Sequence, residues 1–390
     1  MPITVEQHAR TAGDAMRAGK CGSLDLDALL AEAAQLEVSH LHIEPSAHGA
    51  SLFFRASGLI HPFRELSPGE GDALLAQVAA AAGLSTSAPT VQHGTLRWAG
   101  ELLDVFLLPV VRGHRVVLRR SPRQPGHREL EALGMSAVLA NDARAVLERS
   151  GLVLVAAPAG HGRSTTLRTL LTLAVSRTRP GLALATGVTP DMLGVTWADA
   201  GAVPAGEALR AGIDQDFDVL MIDSLEDRAG AAAAVQAAQA GRLVLAGVEA
   251  GDAVAAIQQM RQWRVEAFHL ASALGLVLAQ RLVRRLCADC REPVQATGSV
   301  SALLGFDPGA IVYASAGCAA CEGTGFVGQI GVFESIRGDA TIRRLVNDGG
   351  DAAILARHAF VRTPNLGSAA RALARAGMTT PEEAVRISRG

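Results

Sequence analysis

The stretch from Leu152 to Leu167 carries residue types at a spacing that suits holding a phosphate. It reads as a buried apolar strand to Ala156, a Gly-rich turn over 157–163, and a helix opening at Ser164. The phosphate-loop pattern asks for Gly, four residues, then Gly-Lys-[Ser/Thr]. Glycines let backbone N–H groups turn inward around an anion, and the helix N-terminus adds partial positive charge. Gly160 and Gly162 keep that capacity, with Pro158 in the turn and Thr165 at the helix start. Ser164 keeps the hydroxyl that such loops offer to Mg²⁺. Two defining residues differ: Ala157 replaces the first Gly and Arg163 replaces the Lys. Ala157 fits poorly if its backbone needs a positive φ. Arg163 keeps the charge but is bulkier and planar, unlike the compact ammonium of Lys. These changes predict weakened phosphate binding and a greater loss of transfer chemistry. Taken alone, the stretch also fits an ordinary strand–turn–helix with Ser164 as N-cap.

Two further groups could do chemistry. Asp218-Val-Leu-Met-Ile-Asp223 reads as a buried strand ending in a carboxylate, the position from which Asp223 would hold Mg²⁺. Cys287-Ala-Asp-Cys290 and Cys318-Ala-Ala-Cys321 offer four thiolates for a tetrahedral Zn²⁺. No ligand position is left open, so the site is read as structural. The intervening residues 291–317 exceed the usual zinc-ribbon gap of roughly 15–20. Gly317, Gly323 and Gly325 permit the tight turns. Cys21, the fifth cysteine, receives no role. His40 and His42 share a strand face near His48, and are read as satisfied or solvated rather than as metal ligands. Arg281, Arg284 and Arg285 have helical spacing and are read as a solvated or interprotomer face.

The elements that position these residues change character along the chain. A polar tail, 1–23, precedes a small α+β domain over 24–120. Within it, helices are expected at 24–36 and 69–83, and strands at 39–45, 51–57, 95–98, 102–108 and 114–119, with Pro45 and Gly58 as stops. A Pro- and Gly-containing linker follows at 121–129. Strands and helices then alternate over 130–280, which predicts a parallel sheet with helices on both faces. After Ala253 helices are expected to dominate, interrupted by the cysteine segment, 281–334. A helical region occupies 335–390.

The 390 residues imply two or three domains, and 49% apolar content is ample for their cores. A net charge of −2 argues against a chain-wide nucleic-acid surface, and no nucleic-acid partner is expected. Residues 1–20 carry no apolar core, so no signal peptide is expected, and no apolar run approaches the roughly 18 residues of a membrane helix. The chain is expected in the cytoplasm, where paired cysteines favour metal binding over disulfides.

In order and spacing, the motifs resemble those of the type II secretion and type IV pilus assembly motor ATPases. Ser39-His-Leu-His-Ile-Glu-Pro45 resembles the family's S-D-I-H-I-E-P, and Phe54 to Leu59 resembles F-R-V-D-G-x. Leu108 to Arg119 is similar to L-P-T-x-x-G-E-x-x-V-L-R. Gly151 to Leu167 follows G-L-V-L-V-T-G-P-T-G-S-G-K-S-T-T-L, and Ala234 to Leu245 follows A-V-Q-A-S-L-T-G-H-L-V-L. Gln280 to Cys287 and Gly323 to Glu334 match the flanks of the family's zinc segment.

The resemblance implies an α/β fold. A RecA-like P-loop core follows a small α+β domain and carries a four-cysteine zinc subdomain and a helical C-terminal region. It implies ATP with Mg²⁺, a ring of like or mixed subunits, and inner-membrane secretion or pilus platform partners, with a peripheral place on that membrane. Arg210 and Arg55 correspond to family arginines near nucleotide. Other positions depart from the family. Its catalytic Glu falls on Ser224, its acidic box on Leu184 to Pro190, its two histidines on Arg242 and Glu249, and a phosphate-facing Arg on Asp104. Asp223, Glu226 and Glu249 are the displaced candidates for catalysis, and Glu226 with Asp227 also reads as a helix N-terminal acidic pair. So many lost groups predict an impaired or inactive ATPase that serves as an assembly or regulatory subunit and still binds nucleotide. The alternative is an active motor with displaced catalytic residues.

Overall fold

The computed structural model describes residues 25–35, 38–56, 59–120, 129–185, 192–307, 309–361 and 363–389. The tail with Cys21, the turn at Gly58, linker residues 121–128 and the acidic-box positions Thr186 to Pro190 lie outside the described residues. The chain divides into two compact units. One takes in the described residues up to 120 with Cys287–Cys290 and Ser315–Gly328, and the other takes in the rest.

In the first unit, α1 (Leu26–Gln35) precedes β1 (His40–Ser46), β2 (Gly49–Ala56) and β3 (Leu59–Leu66). Then come α2 (Pro68–Ala81), β4 (Gln92–Trp98), β5 (Glu101–Val110) and β6 (Gly113–Arg120). The six strands pair antiparallel in the order β3-β2-β1-β6-β5-β4. Their apolar residues alternate, so Leu41, Ile43, Leu52, Phe54, Leu103, Val105, Leu107, Val116 and Leu118 share one buried face. Leu29 and Leu30 of α1 and Leu74 and Val78 of α2 belong to the same core.

The second unit begins with α3 (Ala137–Leu147), β7 (Gly151–Ala156), α4 (Arg163–Ala174), β8 (Gly181–Ala185), β9 (Val195–Asp199) and α5 (Ala205–Asp214). β10 (Val219–Leu225), α6 (Arg228–Gln239), β11 (Leu243–Val248), α7 (Ala253–Gln262), α8 (Ala267–Ala273) and β12 (Leu274–Leu286) follow. After β13 (Arg291–Gln295), α9 (Gly298–Leu304), β14 (Ile311–Ser315) and β15 (Phe326–Arg337), the chain closes with α10 (Ala340–Asn347), α11 (Ala352–Ala359), α12 (Leu366–Arg375) and α13 (Pro381–Arg389). The main sheet runs β15-β12-β7-β11-β10-β8-β9, and its pairs from β12 to β9 are parallel. Its central strands are apolar without alternation, as burial on both faces requires, and Leu152–Ala156 and Leu243–Val248 are buried throughout.

Several expectations need correction. Helices do not dominate directly after Ala253: β12 and β15 are long strands of the main sheet. Arg281, Arg284 and Arg285 therefore lie on a strand, not on a helix face. The apolar run Leu274 to Ala279 is equally compatible with buried helix and buried strand, and periodicity cannot separate the two. β3 is a strand beyond those read from the sequence, and Pro62 interrupts it. As an edge strand it tolerates Pro, and its register with β2 shifts there. β1 runs through Pro45 to Ser46 instead of stopping at it. β9, also unexpected, is the opposite edge of the parallel sheet. Glu334 of β15 is buried, and its carboxylate accepts from the N–H groups of Ala253 and Leu366, each at 2.8 Å. One acid thereby caps the first turns of α7 and α12. Among the described residues, no helix is long and apolar enough to cross a membrane.

Candidate functional site

The ends of β7, β11 and β10 lie side by side, since Ala156 pairs with Val248 and Val248 with Leu225. Ligands bind open α/β sheets at this carboxyl edge. The loop after β7 begins with Ala157, which is buried and donates its N–H to the Val248 carbonyl at 3.2 Å. Ala157 is not among the residues with positive φ, so its methyl introduces no backbone strain. Gly160 and Gly162 do have positive φ, 76° and 81°. Helix α4 opens directly after Gly162, where first-turn N–H groups lack intrahelical partners.

At that opening Ser164 Oγ donates to Asp223 Oδ2 at 2.9 Å. The other Asp223 oxygen, Oδ1, is buried without a hydrogen-bond partner, as are Nε and Nη1 of Arg163. The Arg163 stem lies against Gly247: a Cβ on Gly247 would stand 3.0 Å from Cδ and Nε of Arg163 and would overlap the Asp223 carbonyl oxygen. Buried polar atoms without protein partners call for a water or an ion. Here one needs an anion and the other a cation or donor, and the donor set fits a phosphate accompanied by a divalent ion.

The remaining candidates take different places. Glu226 is exposed after the end of β10, and Glu249 is exposed after the end of β11. Asp227 caps α6, accepting from the Gly230 N–H at 2.7 Å. Arg210 is an exposed residue of α5. Arg242 precedes β11, at the opposite end of that strand from Glu249, and pairs with Asp216 at 2.9 Å. Arg55 belongs to the other unit, on β2 opposite His40. In that unit the His40 and His42 rings stack at 6.0 Å on β1, and burial, then Arg119, His42 and Arg55, push His40 down to about 4. Asp104 is buried and faces His93 at 3.4 Å.

The cysteines converge. All four Sγ atoms lie within 4.8 Å of one another, with Cys287–Cys318 at 3.9 Å, Cys290–Cys321 at 3.7 Å and Cys318–Cys321 at 3.8 Å. A tetrahedron of thiolates about 2.3 Å from a central zinc has edges of about 3.8 Å, so the donor set fits a metal ion. Cys318 and Gly325 donate their N–H groups to Cys321 Sγ at 3.2 and 3.1 Å. Burial opposes a Cys321 thiolate, but these amides together with the Cys290 and Cys318 thiols outweigh it and hold its pKa down to about 7. Gly317 has φ 87°, and a Cβ there would stand 2.6 Å from the Gly323 carbonyl oxygen, so only glycine fits the turn.

Sequence reasoning missed Gln280, His161 and Gly247. Gln280 is buried, takes the Thr166 hydroxyl at 2.6 Å and donates to the His161 carbonyl at 2.6 Å. The only signal was a lone amide closing the apolar run Leu274 to Ala279.

Residues 22–386 match the family model described as Type II/IV secretion system protein. The chain is 36% identical over 376 residues to type II secretion system protein HxcR of Pseudomonas aeruginosa, covering 93% of this chain and 76% of the relative. It is 32% identical over 381 residues to the type II secretion system ATPase E of Vibrio cholerae, covering 93% and 75%. Among solved structures, the Legionella pneumophila ATPase DotB superposes with a TM-score of 0.70 at 14% identity, over 96% of this chain and 98% of that one. That likeness shows the fold.

Proposed function

This chain belongs to the Type II/IV secretion system protein family, and from that premise we propose a nucleotide-binding assembly or regulatory subunit that hydrolyses ATP poorly or not at all. The observation that carries this reading is the Ser164–Asp223 pair at 2.9 Å, beside which Glu226 and Glu249 are exposed beyond the strand ends. Nucleotide phosphates would meet Arg163 and the backbone from Pro158 to Thr165, with Ser164 and Asp223 toward Mg²⁺. Arg210 is an outer contributor. Bound Mg²⁺ would neutralise phosphate charge. The residues of this chain can bind and orient the phosphates, and among the described residues no second carboxylate is hydrogen-bonded to the loop to orient a water.

The four cysteines hold zinc in this reading, as a staple with no open position. The subunit works in a homo-oligomeric or mixed ring against inner-membrane platform proteins, in line with the secretion roles named for its relatives. The active-motor alternative draws on the same Ser164–Asp223 pair, with Glu226 or Glu249 reaching the loop. Titration of the metal-loaded protein with fluorescent ADP and Mg²⁺ tests the binding step. Saturable binding lost in Arg163→Ala is expected, and the absence of binding by the parent protein would refute the proposal.

A further inference from the structure

Strand β12 outruns its neighbour. Its register with β7 ends where Ala279 meets Ala156, yet β12 continues to Leu286. Backbone N–H and C=O groups left without partners are costly in a protein interior, and the free edge finds partners of another kind. The Leu282 N–H donates to His161 Nδ1 at 2.9 Å, and the Leu282 carbonyl accepts from Arg386 Nη2 at 3.1 Å. Two residues on, the Arg284 N–H donates to Glu383 Oε2 at 3.1 Å and its carbonyl accepts from the Thr379 hydroxyl at 2.8 Å. The Leu286 N–H then donates to the Met378 carbonyl at 3.0 Å. The rungs at 282, 284 and 286 thus run from the phosphate loop into α13 and the turn before it.

His161 is the first rung, and it sits at the loop tip between the two glycines of positive φ. The tip is held from a second side, since its carbonyl accepts from the buried Gln280, which is itself fixed by Thr166 of α4. We propose that His161 is a positioning residue: its neutral imidazole fastens the tip of the phosphate loop to the β12 edge and keeps the loop shaped for a phosphate without a lysine. The bond stands on geometry alone, whereas its use for phosphate rests on the nucleotide-binding reading above. An Nδ1 that accepts from Leu282 leaves the ring proton on Nε2, which is the neutral form. Burial, then the charges of Arg281 on β12 and Arg386 on α13, lower the His161 pKa and favour that form. Glu383 pairs with Arg386 at 3.0 Å on the same helix.

Two variants of the full metal-loaded chain test this. His161→Ala removes the acceptor, and His161→Asn returns an acceptor oxygen near the place of Nδ1. Amide hydrogen exchange at Leu282 reads the bond, and the Kd for fluorescent ADP with Mg²⁺ reads its consequence. The Ala variant is expected to exchange Leu282 faster and to bind ADP more weakly, each by about fivefold, the worth of one neutral hydrogen bond. The Asn variant is expected to restore both, which a purely space-filling role would not do. Equal protection of Leu282 in the parent and the Ala variant would overturn the bond. Lost protection with unchanged ADP affinity would overturn the positioning role. A parent that binds no ADP overturns the nucleotide reading and the positioning role with it, while the exchange data still decide the bond.

Discussion

The four cysteines come within 4.8 Å of one another, with N–H donors aimed at Cys321. Among the acids proposed for catalysis, Asp223 is bonded to Ser164, while Glu226 and Glu249 are exposed just past Leu225 and Val248, the paired ends of β10 and β11. Both sites rest on glycine-shaped turns, and the difference lies in the charged groups. A structural metal site needs every ligand, because three thiolates leave the ion open to water. A phosphate cradle is made mostly of backbone and survives the loss of side chains that catalysis requires. One unit therefore holds four converging thiolates, and the other a glycine-shaped loop proposed to cradle phosphate without a full catalytic set.

Removing a cysteine tests the first half of that contrast and carries the largest expected effect. Cys318→Ser should abolish stoichiometric metal content, read by elemental analysis, and open residues 287–328 to protease. Structural zinc contributes about 10–16 kcal/mol of apparent binding free energy to folding in small domains. A variant that loses metal yet keeps the parent's protease pattern would remove the staple role. Next in size, Gly247→Ala should destabilise the second unit by about 1–3 kcal/mol in urea unfolding, because a Cβ there overlaps the neighbouring strand and crowds Arg163. A neutral result would contradict the close approach of β10 to Gly247.

The cradle itself is tested by Ser164→Ala. Loss of the hydroxyl proposed to face the cation should weaken Mg²⁺-dependent ADP binding by about tenfold or more, read by titration with and without the ion. An equal loss in both conditions would separate Ser164 from the cation. The smallest effects belong to the acids at the strand ends. Asp227→Ala should cost about 1 kcal/mol as a lost helix cap, measured by thermal unfolding. Glu226→Gln and Glu249→Gln should leave stability within about 0.5 kcal/mol and leave nucleotide binding unchanged. A strong functional effect of either would move the balance toward displaced catalysis.

Legibility followed chemistry. The Cys-x-x-Cys pairs announce themselves, because thiolate geometry fixes the spacing within each pair and leaves the gap between pairs free. The strand, glycine turn and Ser164 were legible because turns of positive φ demand glycine in fixed places. Alternation in β1, β2, β5 and β6 gave the first unit, and continuous apolar runs gave β7, β10 and β11. β12 was not legible, since a buried strand of Leu and Val has the composition of a buried helix. Gln280, His161 and Gly247 escaped because their roles depend on contacts across the sheet. Gln280 meets Thr166 across 114 positions, and Leu282 meets His161 across 121. No local pattern encodes such pairs.

Phosphate release from Mg²⁺–ATP by the purified, metal-loaded chain bears most directly on the proposal that the loop binds nucleotide without catalysing its hydrolysis. Saturable nucleotide binding with no release above buffer is expected. Steady turnover that disappears in Asp223→Ala would contradict it and show a working motor.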